Sequence, residues 1–184
     1  MLVLDFPLRA AFLALPLADD AKSAFRKIHD QLQPFADCLN FQNPESPHLT
    51  LYFWKELMEI EYNQVMQQAP IIASKTSSFE LTINGAYTFG RTGDERVLFL
   101  TVSFSPELAT IKKLCPWPNP PDQPFTPHVT MARISHPGRF TIQRKKIMKV
   151  LSDINIPTHV DRMRLYAEVE GEKQTALQDF CLTP

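Results

Sequence analysis

The stretch Ser46-Pro47-His48-Leu49-Thr50-Leu51 returns about 80 residues later as Thr126-Pro127-His128-Val129-Thr130-Met131. Each copy runs small hydroxyl residue, proline, histidine, aliphatic residue, threonine, apolar residue. Each follows a polar, proline-bearing loop and opens an apolar segment that reads as a β-strand. Residues two apart on a strand share a face. His48 and Thr50 therefore point one way and Leu49 and Leu51 into a core, and His128 and Thr130 separate from Val129 and Met131 in the same manner. One strand from each half of the chain can thus deliver a His and a Thr to a common cleft.

Those residue types suit hydrolysis of a phosphodiester. The reaction needs a base on one side of phosphorus and an acid on the other, and histidine titrates close enough to neutrality to serve as either. A threonine hydroxyl can donate to a non-bridging oxygen and stabilise the charge that builds up in the transition state. Positioned acid–base groups contribute about 10²–10⁴-fold. A metal centre is not expected: there is no His-Glu-x-x-His, no tight Asp/His cluster, and threonine is a poor zinc ligand. His29, His136 and His159 lie in polar surroundings and read as surface groups.

Outward from the two motifs, the chain predicts an α+β fold with largely antiparallel pairing. Arg9 to Leu15 reads as a buried strand ended by Pro16. Asp19 and Asp20 can cap the helix that follows, whose Phe25, Ile28, Leu32 and Phe35 recur at helical spacing. The strand from His48 is expected to reach about Trp54, and a helix to span Leu57 to Ser74. Two strands, Phe79–Phe89 and Val97–Phe104, flank a hairpin-type loop from Gly90 to Asp94. Ser105-Pro106-Glu107 is a helix start. A proline-rich loop from Pro116 to Pro127 leads into the strand His128–Ile134. A basic helix over Thr141–Ser152 and two strands, Thr158–Val169 and Thr175–Cys181, close the chain.

The 184 residues suit one domain, 1–184. Apolar residues make up 44% and charged residues 21%, enough to build a core without staples. A net charge of −1 supplies no global field for nucleic acid. Locally, Arg139, Arg144, Lys145, Lys146 and Lys149 crowd the basic helix, either as a track for an RNA backbone or as an ordinary solvated face. Cys38, Cys115 and Cys181 are widely spaced and read as free thiols in a reducing compartment, the cytoplasm. The apolar start lacks a basic n-region and is broken by Pro7, Arg9 and Pro16, so neither a signal peptide nor a membrane span is expected.

The segments Phe12-Leu13-Ala14-Leu15-Pro16-Leu17, Pro47-His48-Leu49-Thr50-Leu51 and Pro124 to Arg133, with the strands near Phe79, Arg96 and Val160, resemble the 2′,5′ RNA ligase / RNA 2′,3′-cyclic phosphodiesterase family of the two-histidine (2H) phosphoesterase superfamily. The resemblance covers nearly the whole chain. It implies a bilobal, pseudo-symmetric fold, two antiparallel sheets around a central cleft with helices outside. It also implies metal-free, cofactor-free hydrolysis of a terminal 2′,3′-cyclic phosphate to a 2′-phosphomonoester, and ATP-independent 2′–5′ joining in reverse. His48 would be the acid, His128 the base, and Thr50 and Thr130 the phosphate-holding pair. The chain departs from the family at Tyr52-Phe53-Trp54-Lys55-Glu56. By alternation Tyr52 shares a face with His48 and is either an aromatic platform for a base or a rim residue. Arg133 belongs to the second motif, yet alternation turns it away from His128 unless a bulge intervenes. The expected partner is an RNA end, handled by a monomer. The alternatives are a small cyclic nucleotide or ADP-ribose cyclic phosphate as substrate, and a non-catalytic RNA-binding module.

Overall fold

The computed structural model describes residues 4–117 and 124–184, so part of the expected proline-rich loop lies outside the described residues. In chain order the elements are β1 (Leu8–Pro16), α1 (Asp19–Leu32), β2 (Leu39–Phe41), β3 (His48–Leu57), α2 (Glu59–Ser74), β4 (Phe79–Arg91) and β5 (Asp94–Val102). Then come α3 (Pro106–Leu114), β6 (His128–Ile134), α4 (Pro137–Val150), β7 (Ile156–Val160), β8 (Arg162–Val169) and β9 (Glu172–Cys181). The fold is α+β, as expected, and every pairing between these strands is antiparallel.

The two expected sheets are two halves of one curled sheet, ordered β7-β4-β5-β6-β3-β1-β8-β9, with β2 also on β6. The halves meet where β3 and β6 pair, through Leu49 and Val129 alone. One face of the sheet carries the core. Leu13 and Leu15 of β1, Leu49 and Leu51 of β3, and Leu98 and Leu100 of β5 bury there, in one cluster with Phe25 of α1, Val65 of α2, Ile111 of α3 and Phe140 of α4. The helices thus cover that face, and the other is left as the concave cleft.

Several expectations shift, each for a local reason. The single strand expected over 158–169 is two. β7 pairs with β4 in one half and β8 with β1 in the other, so the chain crosses between lobes at Asp161. The sequence marks the break weakly: Val160 and Met163 are buried, but Asp161 and Arg162 between them are not, so the alternation skips a step. β2 has three residues, too few to leave a periodic signal. Neither Asp19 nor Asp20 is the N-cap of α1, although Asp20 Oδ1 accepts the first-turn Ala21 N–H at 2.8 Å. The N-cap is Ala18, which makes no side-chain cap, and the two acids sit in the first turn, where they suit the helix dipole. α4 starts four residues early, at Pro137, because proline fits a first helical turn. The start of α3 is as expected: the Ser105 hydroxyl accepts the Leu108 N–H at 3.2 Å.

The β4–β5 hairpin is tighter than expected, its strands extending to Arg91 and Asp94. Gly90 permits this. Its φ of +113° and the approach of Asp94 O to within 2.6 Å of where a Cβ would stand exclude any other residue without a shift. No helix among the described residues is long and apolar enough to cross a membrane. Because the halves share one strand pair, packing at that pair bears on the whole molecule. Leu49→Ala should cost about 2–5 kcal/mol in equilibrium urea unfolding, and a loss below about 1 kcal/mol would show that the junction does not depend on this side chain.

Candidate active site

The Leu49–Val129 pair joins the middle residues of the two His-x-Thr motifs. In an antiparallel register that pair sets His48 across from Thr130 and Thr50 across from His128. A pseudo-two-fold axis therefore runs between the two motifs, and all four side chains lie on the cleft face. Each histidine is fixed alike. His48 Nδ1 donates to the Ser46 carbonyl at 2.7 Å, and His128 Nδ1 donates to the Thr126 carbonyl at 2.7 Å. A carbonyl can only accept, so the proton sits on Nδ1 and Nε2 is the nitrogen left for chemistry. The proline between carbonyl and histidine stiffens each loop. The first loop is further tied down, since the Ser46 hydroxyl donates to Gln174 Oε1 and Gln174 Nε2 donates to Gln42 Oε1.

Both strands carry one extra residue after the threonine. In β3, Thr50 faces Ala14 and Tyr52 faces Leu13, leaving Leu51 extra. In β6, Thr130 faces Phe99 and Ala132 faces Leu98, leaving Met131 extra. Such a bulge reverses the parity of everything beyond it. Tyr52, opposite the core residue Leu13, consequently turns away from the cleft, and its ring packs 4.5 Å from Trp54 and 6.0 Å from Trp117. Of the two readings of Tyr52, platform or rim residue, this orientation leaves the platform without support, and Phe53, opposite Phe12, takes the cleft face and is 56% exposed. In β6 the same device brings Arg133 to the cleft side, opposite Val97. Phe53 and Arg133 occupy equivalent places, five residues after their histidines.

Aromatic rings from neighbouring strands enclose both imidazoles. His48 stacks on Phe12 of β1 at 4.5 Å and 22°, with Tyr166 of β8 at 5.5 Å. His128 meets Phe89 of β4 and Phe99 of β5 edge-on, at 5.0 and 5.1 Å. Tyr87, paired with Phe99, extends this wall and is 62% exposed. None of these rings was identified from sequence. Each sits in an apolar run whose cross-strand neighbours are invisible until the register is known. Burial pushes the pKa of both histidines below the ordinary value. The Ser46 and Thr126 carbonyls oppose that shift, and the charge of His128 lowers His48 further. Thr50 and Thr130 are half-buried.

The basic groups of α4, read from sequence either as an RNA track or as a solvated face, lie elsewhere. α4 buries Phe140 and Ile147 against the core face, so its lysines lie on the outside of the molecule, with the sheet between them and the cleft. Arg139 pairs with Asp37, and Arg144 with the buried Glu95. Cations on the cleft side include, besides Arg133, Arg162 and Arg164 of β8, which alternate with buried Met163 and Leu165 and are held by Asp179 of β9. Among the described residues no three His, Cys, Asp or Glu side chains form a group able to hold a metal ion.

A sequence model of the 2′-5′ RNA ligase superfamily matches residues 18–172. The chain is 24% identical over 164 residues to the RNA 2′,3′-cyclic phosphodiesterase of Thermotoga maritima, covering 85% of this chain and 84% of that one. It is 23% identical over 149 residues to the protein of the same name from Methanothermobacter thermautotrophicus, covering 78% and 79%. In fold it is similar to apo LigT of E. coli, with a TM-score of 0.71 at 20% identity over 98% of this chain and 100% of that chain. TT0787 of Thermus thermophilus gives 0.70 at 22% identity over 94% and 97%. The family match takes in both histidine strands, their bulges and the hairpin that walls His128, and on that span this chain belongs to the 2′-5′ RNA ligase superfamily.

Proposed function

We propose that this chain hydrolyses the 2′,3′-cyclic phosphate at the end of an RNA to a 2′-phosphomonoester, by acid–base catalysis between His48 and His128. The observation that carries this reading is the pair of imidazoles, each pinned through Nδ1 to the carbonyl two residues before it and each keeping Nε2 for the cleft. Following the family resemblance, His128 Nε2 takes a proton from water as the water oxygen bonds to phosphorus. His48 Nε2 gives a proton to the 3′ oxygen as its bond to phosphorus breaks. Thr50 and Thr130 donate to the non-bridging oxygens, and Arg133 offsets the added negative charge. With a 5′-hydroxyl in place of water, the same proton transfers join two ends through a 2′–5′ linkage without ATP. The names of the two curated relatives support an RNA substrate. Buried Cys38 and Cys115 and exposed Cys181, all free thiols, suit a monomer in a reducing cytoplasm.

A second reading, a small cyclic nucleotide as substrate, draws support from the position of α4, whose basic face is turned away from the cleft. Turnover that does not increase with RNA length would favour it.

The direct test uses a short RNA ending in a 2′,3′-cyclic phosphate, in excess EDTA, with the product phosphate mapped. Wild type should yield the 2′-phosphate. His48→Ala and His128→Ala should each lose about 10²–10⁴-fold in rate, and Thr50→Val or Thr130→Val about 10²–10³-fold. Turnover by either alanine variant near the wild-type rate would remove that histidine from the mechanism.

The pH profile tests the same pair. Both histidines are held below the ordinary histidine value, so each stays neutral to lower pH than in a peptide. A reaction needing one protonated and one neutral imidazole should give a bell-shaped kcat/KM whose alkaline limb falls below about pH 6.5. A profile flat from pH 5 to 9 would sink the assignment.

A further inference from the structure

A cavity of about 340 Å³ opens beside His48, outside the four motif residues. Its lining includes Ser46 and Pro47, which lead into His48, and Tyr166, whose ring lies 5.5 Å from the His48 ring. Three cations line it, Lys22 of α1 and Arg162 and Arg164 of β8, together with three carboxylates, Asp19, Glu45 and Asp161. The guanidiniums are set in advance. Arg164 donates through Nε and Nη2 to Asp179, and its guanidinium lies 5.8 Å from the Tyr166 ring centre. Arg162 donates to Asp161 through Nε and Nη2 at 2.8 Å and to Asp179 through Nη1 at 3.1 Å. A guanidinium has five N–H donors, so each arginine keeps donors beyond these contacts.

We propose that this cavity is the subsite for the ribose-phosphate unit that precedes the reacting end of an RNA chain. The assignment rests on the cyclic phosphodiesterase reading above and adds the length and sugar preference of the same site. A lining of three cations and three carboxylates is not suited to a terminal phosphate dianion. It is suited to a ribose-phosphate unit, whose diester carries one negative charge for the arginines and whose 2′-hydroxyl donates to a carboxylate. The size is that of a small-ligand pocket. Its place continues the chain from His48, and it supplies the cations near the cleft that α4 does not.

The experiment compares adenosine 2′,3′-cyclic phosphate with a tetra-adenylate ending in the same cyclic phosphate, and with that tetranucleotide carrying deoxyribose at the penultimate position. The readout is the preference, the ratio of kcat/KM for the tetranucleotide to that for the mononucleotide. Wild type should prefer the tetranucleotide, and prefer it less when the penultimate 2′-hydroxyl is removed. Arg164→Gln and Lys22→Gln should each cut the preference about tenfold, through KM. Arg164→Gln leaves Asp179 its bond to Arg162, and Lys22→Gln removes only a surface ion pair with Glu45, so the second variant decides if the first folds poorly. A preference unchanged in both variants overturns the subsite, whether the two rates hold or fall together. Failure of wild type to turn over either substrate would instead count against the underlying reaction.

Discussion

The contact on which the rest of the structure depends is the single strand pair between Leu49 and Val129. Two halves of the sheet, one of five strands and one of four, touch through the residues that stand between His and Thr in both motifs. An antiparallel pair has a local two-fold axis perpendicular to the sheet, and this pair places that axis at the centre of the site. Each histidine therefore faces the other lobe's threonine, and the four groups converge without a dedicated active-site loop. Core packing and site geometry share one constraint: the side chains of Leu49 and Val129 fill the core face of the strands whose cleft face carries the chemistry.

Much of this was legible in the sequence. The repeated proline–histidine–aliphatic–threonine pattern marked both strands, and β6 begins and ends where the pattern predicts. The Ser105-Pro106 helix start was equally plain, because a cap acts through residues adjacent in the chain. What escaped involved neighbours distant in sequence. Alternation has no memory of an inserted residue, so the bulges at Leu51 and Met131 sent Tyr52 inward and Arg133 outward against a simple count. The crossing at Asp161 left only a skipped step between Val160 and Met163, so β7 and β8 read as one strand although they pair in different lobes. The aromatic walls could be assembled only from register, as Phe12, Phe99 and Tyr166 come from three separate parts of the chain.

The bulges explain why the two lobes, alike in their motifs, present different chemistry five residues on. Equivalent parity reversals expose Phe53 in one lobe and Arg133 in the other, an apolar ring against a guanidinium. The strands next to the histidine walls differ similarly. β8 brings Arg162 and Arg164 to the cleft face, whereas β4, its counterpart, brings Tyr87 and Phe89. Pseudo-symmetry supplies two similarly held imidazoles, but the proposed acid–base reaction needs them to differ at any instant. The difference therefore arises from these neighbours and from the substrate.

That last dependence follows from electrostatics. Burial among aromatic rings disfavours the imidazolium at both positions, and the charge of His128 disfavours it further at His48. In a free site the protonated form is therefore disfavoured at both imidazoles, which suits the base more than the acid. In the proposed reaction the substrate corrects this, because a cyclic phosphodiester brings one negative charge into a half-buried, low-dielectric cleft. There it stabilises a proton on one histidine far more than it would in water. Its charge cannot as readily stabilise two imidazoliums, since the second would face the first. On the proposed mechanism, binding of the anion thus favours the one-protonated, one-neutral state that the reaction requires, and a neutral ligand of the same shape would not.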